Sequence, residues 1–75
     1  MSPKLPRVTG KNVIKALIKK EFKLLHIRGS HHYLEDPKGN LVTVPVHSGD
    51  ILKPKTLKSI LNQAGITVND LIELN

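Results

Sequence analysis

Two turn signals, Gly29-Ser30 and Pro37-Lys38-Gly39-Asn40, sit close together mid-chain and cut it into short apolar pieces. Residues 22–28 (FKLLHIR) are rich in apolar side chains and end at Gly29-Ser30, which predicts a strand followed by a tight turn. Residues 31–36 (HHYLED) form the second strand and run into the second turn. The third, 41–47 (LVTVPVH), is β-branched and alternates, with Val42, Val44 and Val46 on one face. Its Pro45 has no N–H to give to a ladder, so this strand lies at the sheet edge or ends there. Three strands joined by short turns read as an antiparallel meander.

Helical patterns flank the meander. Thr9 is suited to an N-cap, and Val13, Ile14, Leu17 and Ile18 recur at helical spacing, which predicts an amphipathic helix over 10–21. Pro54 suits the first turn of a second helix through Leu57, Ile60 and Leu61, stopped at Gly65. Thr67 then opens a short third helix, with Asp70 at a capping-box position and Leu71, Ile72 and Leu74 expected to face inward. Residues 1–8 carry two prolines and read as an extended or loosely docked arm. The order α-β-β-β-α-α predicts one α+β domain over residues 1–75, a three-stranded antiparallel sheet with helices on one face, like a double-stranded RNA-binding domain.

At 75 residues, a doubly wound or barrel enzyme with its own enclosed pocket is excluded by size. The absence of cysteine removes disulfides, thiolate zinc sites and a cysteine nucleophile together, and fits a cytoplasmic protein. No apolar run approaches the roughly 20 residues of a membrane span, so no membrane partner is expected.

Charge narrows the function further. Residues 1–30 hold eight basic side chains against one acid (Glu21), a net of +7, while residues 31–75 carry a net of −1. A basic half suggests a polyanionic partner, nucleic acid first and an acidic protein second, against the alternative of a merely soluble lysine-rich surface. Lys11, Lys15 and Lys19 recur at i, i+4 on the first helix, either as an RNA-facing stripe or as a solvated face.

The chemically suggestive segment is Gly29-Ser30-His31-His32, with His47 at the end of the third strand. Imidazole gives and takes protons near neutrality. That suits RNA cleavage, in which the substrate's 2′-hydroxyl supplies the nucleophile and neither serine nor metal is needed. Zinc is disfavoured by the lack of an HExxH motif and of cysteine, so no cofactor is expected. Ser30 reads as a turn residue, Gly29 as a backbone-angle residue, and Glu35 and Asp36 as solvent charges.

A four-residue hairpin loop, Pro37–Asn40, would set Asp36 against Leu41, His31 against Val46 and His32 against Pro45, with His47 near Ser30. This register puts His31 on the face of Val42, Val44 and Val46, and His32 on the open face with Thr43 and His47. A one-residue change in loop length reverses the two.

Gly29-Ser30-His31-His32, the Val44-Pro45-Val46-His47 strand end, and Thr56-Leu57 through Ile60-Leu61 into Gln63-Ala64-Gly65-Ile66 follow one another in a specific order. Together with the Thr9-Gly10-Lys11 helix start, they resemble the HicA (YcfA-like) family of mRNA-interferase toxins over nearly the whole chain. The resemblance implies an endoribonuclease acting on mRNA, a monomer when free and a hetero-oligomer with a HicB-type antitoxin; the alternatives are a non-catalytic RNA-binding module and a degenerate toxin that retains antitoxin binding. It also implies catalysis by the histidine after Gly-Ser, which maps onto His31, with His32 in reserve. His32, His47, Lys11 and Arg28 are candidates for the second catalytic group. Lys11, Lys15, Lys19, Arg28, Gly29, Ser30 and His47 are candidates for RNA contact. Two positions depart from the family pattern: Glu21 stands where a glycine usually precedes Phe22, and Lys55 where a glycine often precedes Thr56-Leu57.

Overall fold

The computed structural model describes residues 5–74. The elements run α1 (Gly10–Lys19), β1 (Lys23–Arg28), β2 (His31–Glu35), β3 (Leu41–Pro45), α2 (Pro54–Ala64) and α3 (Val68–Leu74). The strands form one antiparallel sheet in the order β1-β2-β3. Leu34, Val42 and Val44 project from one face of this sheet into a core with Val13, Ala16 and Leu17 of α1, Leu57, Ile60 and Leu61 of α2, and Leu71 of α3. The result is the expected α+β fold, resembling a double-stranded RNA-binding domain, with its helices on one face.

Helix α1 starts where a capping box predicts. The Thr9 hydroxyl accepts from the Asn12 N–H at 3.2 Å while Asn12 Oδ1 accepts from the Thr9 N–H at 3.1 Å. The helix ends at Lys19, two residues short of the sequence expectation, because Glu21 turns left-handed with φ 70°. The N–H of Phe22 donates to the Leu17 carbonyl and that of Glu21 to Ile18, which is a Schellman closure with Glu21 at the position glycine normally takes. Helix α2 stops as expected at Gly65, φ 69°. Helix α3 is capped reciprocally: the Thr67 N–H donates to Asp70 Oδ2 (3.0 Å) and the Asp70 N–H to Thr67 Oγ1 (3.1 Å). Only Leu71 of α3 is buried, and Ile72, expected to face inward, is 51% exposed. Successive helical residues are about 100° apart, so Leu71 and Leu74 share the inner face and Ile72 turns away.

Residues 1–4 of the expected arm lie outside the described residues. Residues 5–8 are not loosely docked. Val8 is buried, its carbonyl accepts the Leu52 N–H at 2.8 Å, and Thr9 bridges to Ile51.

The hairpin between β2 and β3 corrects the expected register. Its loop has five residues, Asp36–Asn40, so Glu35 faces Leu41, His31 faces Pro45 and His32 faces Val44. Asp36 organises the loop rather than standing as a solvent charge. Its Oδ1 accepts from the Lys38 N–H (2.9 Å) and the Asn40 N–H (2.8 Å), and its Oδ2 from the Asn40 side chain (2.8 Å). Its own N–H donates to the Asn40 carbonyl at 3.0 Å. The Asn40 side-chain amide holds the Asp36 carboxyl below the ordinary carboxylate range; partial desolvation opposes it, and the backbone N–H groups of Asn40 and Lys38 and the Lys38 charge add to the lowering. Strand side chains alternate with a period of two, so this single extra loop residue exchanges the faces of His31 and His32.

Candidate functional site

Gly29 and Ser30 form a two-residue turn between Arg28 and His31, which pair directly. Gly29 takes φ 58°, a left-handed value that explains the glycine. The Ser30 carbonyl accepts the Val46 N–H at 2.7 Å, which places Val46 beside Ser30 where His47 was expected. That bond also sets which backbone groups face inward. Ser30, His32 and Leu34 bond toward β3, and His31 and Tyr33 toward β1. Pro45 therefore falls where an N–H would point away from the sheet, as an edge proline should.

The two histidines leave the strand on opposite sides. His31 lies on the solvent-facing side in a row with Arg28 and Pro45, and it is exposed. His32 lies on the helix side in a row with Ile27 and Val44, and it is half-buried. The His32 ring is the one with an anchor: Nδ1 lies 3.4 Å from the Ser30 carbonyl oxygen. With the proton on Nδ1 donated to that oxygen, Nε2 is left as the free acceptor.

Helix α1 delivers Lys11 to the same end of the molecule. Gly10 is seated so closely on β3 that a Cβ there would run into the Pro45 carbonyl. This contact sets Lys11 and His47 on one open cleft of about 410 Å³, lined also by Thr9, Val46, Ser48 and Gly49. Lys11, Lys15 and Lys19 are all exposed, but the Lys19 ammonium donates to the Leu74 carbonyl at 2.8 Å and so ties α1 to the end of α3. Lys11 and Lys15 are the members of the stripe without such a tie.

One feature escaped the sequence reading. His26 of β1 stacks on Tyr33 of β2, with ring centroids 4.4 Å apart and planes inclined by 16°. Counting back from the two-residue turn puts His26 opposite Tyr33, so the signal was present in the spacing. Among the described residues, no group of three or more His, Asp or Glu side chains could hold a metal ion. None of their helices is long and apolar enough to cross a membrane.

No curated protein matches the chain at a significant level. Residues 10–66 match a protein family described as the HicA toxin of bacterial toxin-antitoxin. The matched span begins at Gly10, on which the packing of α1 against Pro45 depends, and ends just after Gly65, which closes α2. It takes in the Gly29–His32 turn, the Asp36 loop and the His47 cleft, and on that match the chain belongs to the HicA toxin family, whose members act as toxins paired with an antitoxin.

Proposed function

We propose that this toxin is an endoribonuclease that cleaves mRNA in the cytoplasm by metal-independent acid/base chemistry, with a HicB-type antitoxin as its neutralising partner. The reacting imidazole is His32. The resemblance alone points to His31. The observation that favours His32 is the Ser30 carbonyl 3.4 Å from its Nδ1, a long contact that orients the ring when Nδ1 carries the proton, and a proton-transfer group needs such orientation. No hydrogen bond holds the His31 ring, which stands on the solvent-facing side beside Arg28.

In the proposed reaction, His32 Nε2 takes the proton of the 2′-hydroxyl. The 2′-oxygen attacks phosphorus, the bond to the 5′-oxygen breaks, and that oxygen receives a proton. The products are a 2′,3′-cyclic phosphate and a 5′-hydroxyl. Lys11 and His47, which share one cleft, are the candidates for donating that second proton or for steadying the phosphate. Lys11 and Lys15 hold neighbouring phosphates, and Arg28 grips the strand on the far side of the turn.

The test is RNA cleavage and growth arrest by the single variants His31→Ala and His32→Ala, with folding checked by circular dichroism. Loss of cleavage on removing one imidazole, typically 10²–10⁴-fold, is expected for His32→Ala, while His31→Ala keeps at least a tenth of wild-type activity. The opposite pattern would return the role to His31. Full activity in both variants would leave the turn a binding element without catalytic imidazoles. Activity should also survive EDTA, and restoration by zinc or magnesium after loss in EDTA would overturn the metal-free scheme.

A further inference from the structure

The sheet has two outer edges, and they are built differently. On β3 the N–H of Thr43 points outward and is taken by Gln63 Oε1 of α2 at 3.2 Å, while Pro45 has no N–H to offer. Every outward group of this kind on a sheet edge invites pairing with another chain, and a proline or a covering side chain removes the invitation. β1 has neither of these, and its bulge and Lys23 blunt only the first half of the strand, leaving His26–Arg28 open. Its six residues, Lys23–Arg28, are all exposed, with Leu24 at 44%, Leu25 at 49% and Ile27 at 53%. Ile27 faces His32 in the register position whose N–H and C=O point away from β2, onto the free edge.

We propose that this edge is where the antitoxin docks, by adding an acidic, alternating strand alongside His26–Arg28 as a fourth strand of the sheet. The proposal rests on the antitoxin partnership and not on the assignment of His32. The β-bulge between Leu24 and His26 confines regular pairing to the His26–Arg28 stretch, centred on Ile27. Apolar side chains of the incoming strand cover Leu24 and Ile27 on the helix side.

Charge selects the occupant. Residues 19–28 carry Lys19, Lys20, Lys23 and Arg28 against the single acid Glu21. Lys23 and Arg28 mark the two ends of β1 on the solvent-facing side. A strand with Asp or Glu facing Arg28 pairs with it across the ladder, where opposite charges are favourable and like charges are not, while Lys23 beyond the bulge adds only to the local positive field. A second copy of this chain would bring the same cations to the same edge, with a net charge of +6 on each molecule. An acidic partner strand removes that repulsion and leaves backbone pairing to supply affinity.

The experiment uses the toxin with a HicB-type antitoxin that neutralises it. Amide hydrogen exchange of the wild-type toxin, alone and in the complex, is expected to slow at Ile27 by at least tenfold on binding. Leu24→Lys is expected to weaken antitoxin binding at least tenfold, whereas Leu41→Lys, a still more exposed position on β3, leaves it within twofold. Binding should weaken as salt rises. Unchanged exchange at Ile27, or equal affinity of Leu24→Lys and wild type, overturns the proposal. Slowing at Ile27 that follows toxin concentration without antitoxin overturns it in favour of self-pairing. RNA cleavage by wild type and Leu24→Lys is measured alongside. A wild type that does not cut RNA yet shows the Ile27 protection sinks the nuclease reading and leaves the docking edge standing.

Discussion

Strands β1 and β3 flank the same central strand and are similarly apolar, yet they end in opposite conditions. Val42 and Val44 of β3 are buried, and both α1 and α2 pack on that strand. Leu24 and Ile27 of β1 project to the same side of the sheet and are exposed. The helix layer is not centred on the sheet; it lies toward β3, and the capped edge and the covered face occur together there. The lesson is that strand composition does not decide burial in so small a domain. In this 75-residue chain α1 and α2 settle on β3, and β1 stays uncovered.

The sharpest way to break this comparison is to truncate two leucines that face each other across the sheet. Leu34 and Leu24 are register partners, but Leu34 is fully buried. Leu34→Ala is expected to lose about 2–5 kcal/mol of unfolding free energy, and Leu24→Ala less than about 1 kcal/mol. Chemical denaturation of both variants measures the difference; equal losses would mean that β1 is covered after all. Next in size is Gly10→Ala. Its methyl group meets the backbone carbonyl of Pro45, which cannot rotate aside, so a loss of about 1–3 kcal/mol is expected despite alanine's better helix propensity. A neutral result would show that α1 does not rest on the β3 edge as closely as described.

Two smaller changes act at the entrances to these strands. Glu21→Gly relieves a left-handed φ at the closure of α1, just before β1, and is expected to stabilise by about 1 kcal/mol. A destabilised Glu21→Gly would mean that the glutamate side chain makes a compensating contact. Gln63→Ala uncaps the Thr43 N–H on the β3 edge and should cost about 0.5–1 kcal/mol, with faster exchange of that amide. Unchanged exchange at Thr43 would show that proline and helix packing protect this edge without the glutamine.

The smallest effect concerns the loop that sets the register. Because the Asp36 carboxyl is held below its ordinary 3.8, its contribution to stability is present above that value and is lost as pH falls through the lower folded value. Wild type is therefore expected to lose stability across that acidic interval, and Asp36→Asn to lose less there. Parallel acid titrations of the two proteins would contradict the role assigned to Asp36.

Much of the architecture was legible in the chain itself. The turns at Gly29-Ser30 and Pro37–Asn40, the caps at Thr9 and Thr67, the stop at Gly65 and the edge position implied by Pro45 all depend on interactions within a few residues, and local spacing encodes such interactions directly. The candidate site was legible as a segment, Gly29 to His32, but not as a geometry. Which histidine faces which side depends on whether the loop after Glu35 holds four residues or five. Only the set of bonds converging on Asp36, which closes the loop one residue early, decides it. An error of one residue inverts a strand of period two completely, whereas the same error in a helix rotates a side chain by about 100°.

The exposure of β1 is of a different kind. Nothing in KLLHIR distinguishes a strand that will be covered from one that will not, because its neighbours are set by where α1 and α2 settle. That placement follows from Gly10 against Pro45, from Gln63 on Thr43 and from Lys19 on the end of α3, contacts between residues 35, 20 and 55 positions apart in the chain. Local spacing was enough to specify the elements, their order and the residues that could do chemistry. The bonds of the Asp36 loop set which side each imidazole takes, and packing between distant residues set which edge is left open, because the first turns on a one-residue difference in loop length and the second on where the helices settle.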